Sequence, residues 1–220
     1  MILKRVYQID PQLDMNYAMY KPYDFISEVD PAIYRKVFDS ELEFDTLDDI
    51  YTRFNTVMHP LYNGRSLTRS DVIVTDQGKY YVDSTGFRPI EFAEELTNSP
   101  DQIRVLYVEP HKEPVEAFIP DTLDAKQHAV GGYIEFAYIS DDAAIVCDEE
   151  GKLKGKEGNR YLESGDVIAG NFLIVGLGDE DCRSLSTEEA AIYKAMFLDA
   201  PDISASEAQA QAGFGYISFM

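Results

Sequence analysis

Polar and aromatic side chains able to act together gather in one stretch of the sequence: His59, Tyr62, Asn63, Arg65, Arg69, Asp71, Tyr81, Asp83 and Ser84. An imidazole near carboxylates is the combination used for general acid–base hydrolysis, so His59 with Asp71 or Asp83 defines one expectation, a small hydrolytic enzyme. The competing expectation is structural. Asp71 caps a turn, Asp83 and Ser84 hold the chain reversal before Gly86, and Arg65 or Arg69 pairs with them. Most polar residues in loops only shape turns, so the balance favours the second reading. We therefore take His59, Tyr62, Arg65, Arg69, Asp71, Tyr81, Asp83 and Ser84 as a candidate partner-binding surface and assign no catalytic residue.

Other chemistries lack their residues. Zinc needs several His or Cys ligands at compatible spacing, and His59, His111 and His128 have no HxxxH or CxxC companion. Asp148-Glu149-Glu150-Gly151 begins like a calcium loop, but its glycine comes too early and Lys152 and Lys154 occupy the middle. Gly151 to Lys156 is one residue short of a P-loop and runs into Glu157. Gly176-Leu177-Gly178 leads into Asp179-Glu180-Asp181, which repels a pyrophosphate. No GxSxG motif is present, while a Cys–His or carboxylate pair that meets only in space stays open. No metal or cofactor is expected.

Charge narrows the partners. The 220 residues hold 19 basic and 40 acidic groups, a net of −21. Phosphate binding depends on clustered Lys and Arg, so direct nucleic-acid binding is disfavoured, as is binding to an anionic membrane surface. A basic cytoplasmic protein is the partner this charge suits, with mimicry of DNA as its sharp form. The plainer account is that the acid keeps the protein soluble. The acid is spread along the chain rather than gathered in a tail. Only Cys147 and Cys182 occur, which fits a reducing compartment, and the N-terminus turns charged too early for an export signal. These features point to the cytoplasm.

The elements that must carry these residues read as an α+β chain of two small domains, each a mostly antiparallel sheet with one or two packed helices. Thr97-Asn98-Ser99-Pro100-Asp101 is the clearest boundary, giving domains at 1–98 and 102–199 and a flexible or strand-adding tail at 200–220. Leu3–Ile9 and Ile33–Phe38 read as strands, with residues 17–26 between them too mixed to assign. A helix capped by Asp45 follows, with Leu47, Ile50, Tyr51, Phe54 and Met58 on one face and a stop before His59-Pro60. Val72–Thr75 and Lys79–Asp83 form a hairpin around Asp76-Gln77-Gly78.

In the second half Ile103–Val108, Val115–Ile119, Tyr133–Ile139, Ala143–Asp148 and Val167–Val175 read as strands. A helix capped by Asp121 ends at Gly131-Gly132, and a capping box of Ser186 and Glu189 opens another, apolar at Ile192, Ala195, Met196 and Phe197. Glu149–Asn159 reads as a long connection or mobile loop. The apolar end of the tail, Phe214, Tyr216, Ile217 and Phe219, suits pairing with another copy in a homo-oligomer.

The segments Leu47-Asp48-Asp49-Ile50-Tyr51-Thr52-Arg53-Phe54-Asn55, His59-Pro60, the run from Arg65 to Val74, and Tyr80-Tyr81-Val82-Asp83-Ser84-Thr85-Gly86-Phe87 carry a likeness. Through them residues 45–92 resemble the YodL-like domain of Firmicutes. Residues 103–197 resemble the bacterial domain-of-unknown-function family 3846 through Ile103 to Pro110, Val130 to Glu135, Ala144 to Cys147 and Ile168 to Gly176. The resemblance implies a Firmicute gene carried on a mobile element and brings no reaction with it. The expectation that follows is a non-enzymatic inhibitory or accessory factor that binds protein.

Overall fold

The computed structural model describes residues 2–26, 28–43, 46–179 and 181–213. The chain divides into two compact units, residues 1–101 and 102–220. The first unit contains β1 (Ile2–Ile9), β2 (Tyr34–Leu42), α1 (Leu47–Thr56), β3 (Val72–Thr75), β4 (Gly78–Val82) and β5 (Phe87–Pro89). These strands form an antiparallel sheet in the order β5-β4-β3-β1-β2.

Alternation along β1 gives that sheet two buried faces. Tyr7 and Ile9 join Tyr34, Val72, Val74, Tyr81 and Phe92 in one core. On the other face α1 packs through Ile50 and Phe54, with Phe54 stacked on Tyr62 at 4.4 Å and meeting Phe38 at 4.9 Å. A bulge in β2 lets it serve both faces, because Val6 pairs with Phe38 and Tyr7 with Lys36, leaving Val37 as an extra residue. The freed Val37 carbonyl accepts from Asn63 N at 2.9 Å.

Several local expectations shift in register. The cap of α1 is Thr46, whose hydroxyl accepts from Asp49 N at 3.1 Å, while Asp45 lies outside the described residues. The same Asp-Thr-Leu-Asp sequence recurs at 121–124, and there too threonine, Thr122, is the cap in place of Asp121. Tyr51 is exposed beside the buried Ile50–Phe54 stripe, and Met58 is exposed beyond the helix end at Thr56. The hairpin turn is tighter than expected, with Thr75 paired to Gly78 around Asp76-Gln77.

The second unit holds β6 (Gln102–Val108), β7 (Val115–Pro120), α2 (Leu123–Val130), β8 (Ile134–Tyr138), β9 (Ala143–Asp148), β10 (Gly158–Tyr161), β11 (Val167–Ala169), β12 (Phe172–Leu177), β13 (Cys182–Arg183), α3 (Thr187–Met196) and α4 (Ala205–Ala210). Its main sheet runs β7-β6-β12-β9-β8, with β13 beside β12, and β10 and β11 form a separate pair. α3 covers one face, where Ala190, Tyr193 and Phe197 join Leu106, Ile145 and Ile174. α2 packs against β9 and β12, and Ala144, Val146, Leu173 and Val175 are buried as well, so both faces are covered.

The described residues of the second unit thus form three α-helices where one or two were expected. The buried stripe of α3 is Ala190, Tyr193 and Phe197, while Ile192 and Met196 face out. Residues 149–159 are tied down by Lys154 and Lys156, which reach the fully buried Asp148 carboxylate at 3.0 and 2.6 Å. Of the segment read as a tail, Ile203 bridges to Gly158 and joins Val167, Ala169 and Ala208 in a small core. Phe214, Tyr216, Ile217 and Phe219 lie outside the described residues. Both cysteines are free.

Candidate functional site

β1 and β2 are joined by residues 10–33, among whose described residues there is no α-helix or strand but short 3-10 turns at Tyr23–Phe25 and Pro31–Ile33. Connections beyond about 12–15 residues without their own structure are uncommon in compact domains and tend to be functional. This one is two-sided. Ala18, Met19, Tyr23, Ile26, Val29 and Ile33 pack inward on the Tyr7–Tyr34–Phe92 core. Met15, Tyr17, Tyr20 and Phe25 point outward at 82, 80, 50 and 77% exposure.

The loop is held from beneath by the residues singled out in the sequence. Asp71 is fully buried and takes a bidentate pair from Arg65, with Nη1 at 2.8 Å and Nη2 at 2.6 Å. It also accepts from Thr68 N at 2.8 Å and from Gln8 Nε2 at 3.0 Å. Gln8 Nε2 further donates to the Tyr62 hydroxyl and the Arg65 carbonyl, while Gln8 Oε1 accepts from Arg65 N. Tyr62 completes the cluster by donating to the Arg65 carbonyl at 2.8 Å. Burial pushes Asp71 up to about 6, restrained by the Arg65, Thr68 and Gln8 bonds.

The Arg65 guanidinium, locked by Asp71, lies over the Tyr20 ring at 5.1 Å. Beside it Ser70, at φ 73°, turns its hydroxyl to accept from Tyr20 N at 3.0 Å. The Ser70 carbonyl in turn accepts from Tyr34 at 2.8 Å. Further along, the Tyr81 hydroxyl donates to the Lys21 carbonyl at 2.7 Å. Asp83 accepts from Tyr23 N at 3.1 Å, from Ser84 N at 2.7 Å and from Arg88 at 3.2 Å. Burial works to raise Asp83, but those bonds outweigh it and hold its carboxyl below the usual range. Within the loop Asp14 accepts from Ala18 N and Met19 N, which fixes the turn where Tyr17 takes φ 52°.

The structure therefore brings Tyr62, Arg65 and Asp71 into one cluster and places Tyr81 and Asp83 under the loop. Arg69 and Ser84 are exposed and meet only at 3.5 Å. His59 is buried with its ring edge-on to Phe38 at 5.2 Å, and its Nδ1 accepts from Leu61 N at 3.1 Å. It shapes the 59–62 turn. Gln8, Asp14, Tyr20 and Ser70 were missed by sequence reasoning, since the loop has no period to read. Its length and its density of tyrosines were the available signals.

The sheet, the helix and the long loop are all inside the region that the comparisons recognise. Residues 3–92 match the YodL-like domain. Residues 103–198 match DUF3846, a domain of unknown function. The order is the one implied by the motifs, and the YodL-like match extends upstream of residue 45 to take in β1, the loop and β2. No curated protein and no solved structure matches the chain. The candidate surface thus lies within the residues that match the YodL-like domain, with Arg65, Asp71, Tyr81 and Asp83 as its supports. No described helix is long and apolar enough to cross a membrane, and no group of three potential metal ligands occurs among the described residues.

Proposed function

We propose that the chain is a non-enzymatic protein-binding factor of the cytoplasm, an inhibitor or accessory of a bacterial mobile element, and that the loop at 10–33 is its contact. The observation that carries this reading is a set of large apolar side chains, Met15, Tyr17 and Phe25, turned outward from a loop whose backbone is pinned at Tyr20, Lys21 and Tyr23. Exposed apolar groups on a fixed frame lose little conformational freedom on binding, which is what a contact surface needs. The hydrolytic alternative finds its groups spent on the fold. Asp71 is bound to Arg65, Asp83 to the loop, and the His59 ring sits in a turn.

Mobile-element context rests on the family likeness, and a basic target on the net charge of −21. The loop's acids flank a run of aromatic side chains, Tyr17, Tyr20, Tyr23 and Phe25, an arrangement suited to reading side chains rather than to imitating a row of phosphates. A photo-crosslinking amino acid placed at Tyr17 or at Phe25 in bacterial cells tests the reading, with exposed Ile192 of the DUF3846 domain as control. A discrete adduct is expected from both loop positions and not from Ile192. Equal adducts from Ile192, or none from the loop, overturn it.

A further inference from the structure

Resting on the reading of the loop as a contact surface, we infer that it takes an arginine-bearing segment of its partner, seating guanidinium groups between aromatic faces and carboxylates. The molecule already uses this arrangement on itself. Arg88 lies over the Tyr23 ring at 5.9 Å while its Nη2 reaches Asp24 at 3.4 Å. Arg65 lies over Tyr20 in the same manner at 5.1 Å. Two tyrosines of one loop thus bind two arginines by their faces, a favourable contact between the ring quadrupole and a planar cation.

The same ingredients remain on the outer side, where no cation among the described residues lies over Tyr17 or Phe25. Tyr17 and Phe25 are among the most exposed large side chains of the chain. Beside Phe25 opens a cavity of about 370 Å³ whose lining includes apolar Leu13, Phe25 and Val29, the acids Asp14, Glu28 and Asp30, and one cation, Lys21. Apolar walls with acidic groups fit the stem and head of a long basic side chain. Across residues 10–30 the acids Asp10, Asp14, Asp24, Glu28 and Asp30 stand against Lys21 alone, and Lys21 Nζ is turned to the Asn16 carbonyl at 2.9 Å. The charge also selects against the other occupants. A second copy brings a further −21 and nucleic acid a phosphate backbone, both of the repelling sign.

The test is a nitrogen-15 NMR titration of the full chain with an octapeptide alternating arginine and leucine, set against one in which glutamate replaces arginine. The expected result is shifts centred on residues 13–30 with the arginine peptide alone, weakening as salt is raised. The double variant Tyr17→Ala, Phe25→Ala should keep its melting temperature, since both side chains face out, and bind at least about tenfold more weakly. Shifts scattered over the acidic surface, or binding unchanged in the double variant, overturn the inference. If the glutamate peptide binds the loop equally well, the arginine preference falls while the loop stands as a contact surface. If neither peptide moves residues 13–30, the preference falls, and the crosslinking at Tyr17 and Phe25 decides the surface separately.

Discussion

Asp71 has no exposure to solvent, so its charge state is set by burial on one side and by Arg65, Thr68 and Gln8 on the other. Arg65 itself reaches water, so replacing Asp71→Asn strands a half-exposed guanidinium rather than a fully buried one. We expect a loss of about 3 kcal/mol, at the low end of what breaking buried pairs costs, measured by urea unfolding followed by circular dichroism. The pH dependence has a definite sign. Folding raises this carboxyl from about 4 to about 6, so the native state holds its proton more tightly than the unfolded chain. The stability this group contributes is full below pH about 4 and is lost as pH rises through about 6. The difference in unfolding free energy between the wild type and Asp71→Asn should change across that window. A flat difference would show that Asp71 does not titrate there.

At the level of elements, α3 shows how much a short motif fixes. Ser186 accepts from Glu189 N at 3.1 Å and the Glu189 carboxylate accepts from Ser186 N at 2.8 Å, the reciprocal pair expected from the sequence. Glu189 also holds Arg183 at 2.6 Å, and these bonds bring its carboxyl down to about 2. Here the sign is opposite to that of Asp71. The contribution is present above pH about 4 and fades as pH falls toward 2. Glu189→Gln should cost on the order of 1 kcal/mol at neutral pH and speed hydrogen exchange in the first turn of α3. Unchanged exchange there would remove Glu189 from that role. Such local chemistry was legible: the box, the glycine end of α2, the hairpin and strands such as β1, β6 and β9 follow from nearby residues, whereas β10 and β13 were not read and the run at 167–175 splits into β11 and β12 in separate sheets. The buried stripe of α3 was not, because Ile192 and Tyr193 are both apolar enough and only the sheet beneath chooses between them. The candidate site was legible only as a list. Arg65, Asp71, Tyr81 and Asp83 could be picked by type, but their common task depends on a loop some fifty residues away in sequence that carries no periodicity.

The whole molecule carries its charge in both parts, about −8 in residues 1–101 and −13 in residues 102–220, counting Lys, Arg, Asp and Glu. Self-repulsion of this kind disfavours the compact state and is screened by salt. The melting temperature should therefore climb between low and physiological sodium chloride, measured by scanning calorimetry, and a fall would place the net balance in attractive ion pairs instead. Against that diffuse background the extra residue in β2 has a sharply local importance. Because Val37 is skipped in the ladder, Tyr34 lies on the loop side of the sheet and Phe38 on the helix side, which strict alternation forbids for residues four apart. Val37 therefore works as a parity bit. Losing its single codon, without altering any other letter of the message, would ask one aromatic anchor to swap inside for outside, so this strand is far less tolerant of a length change than of a change in side chain.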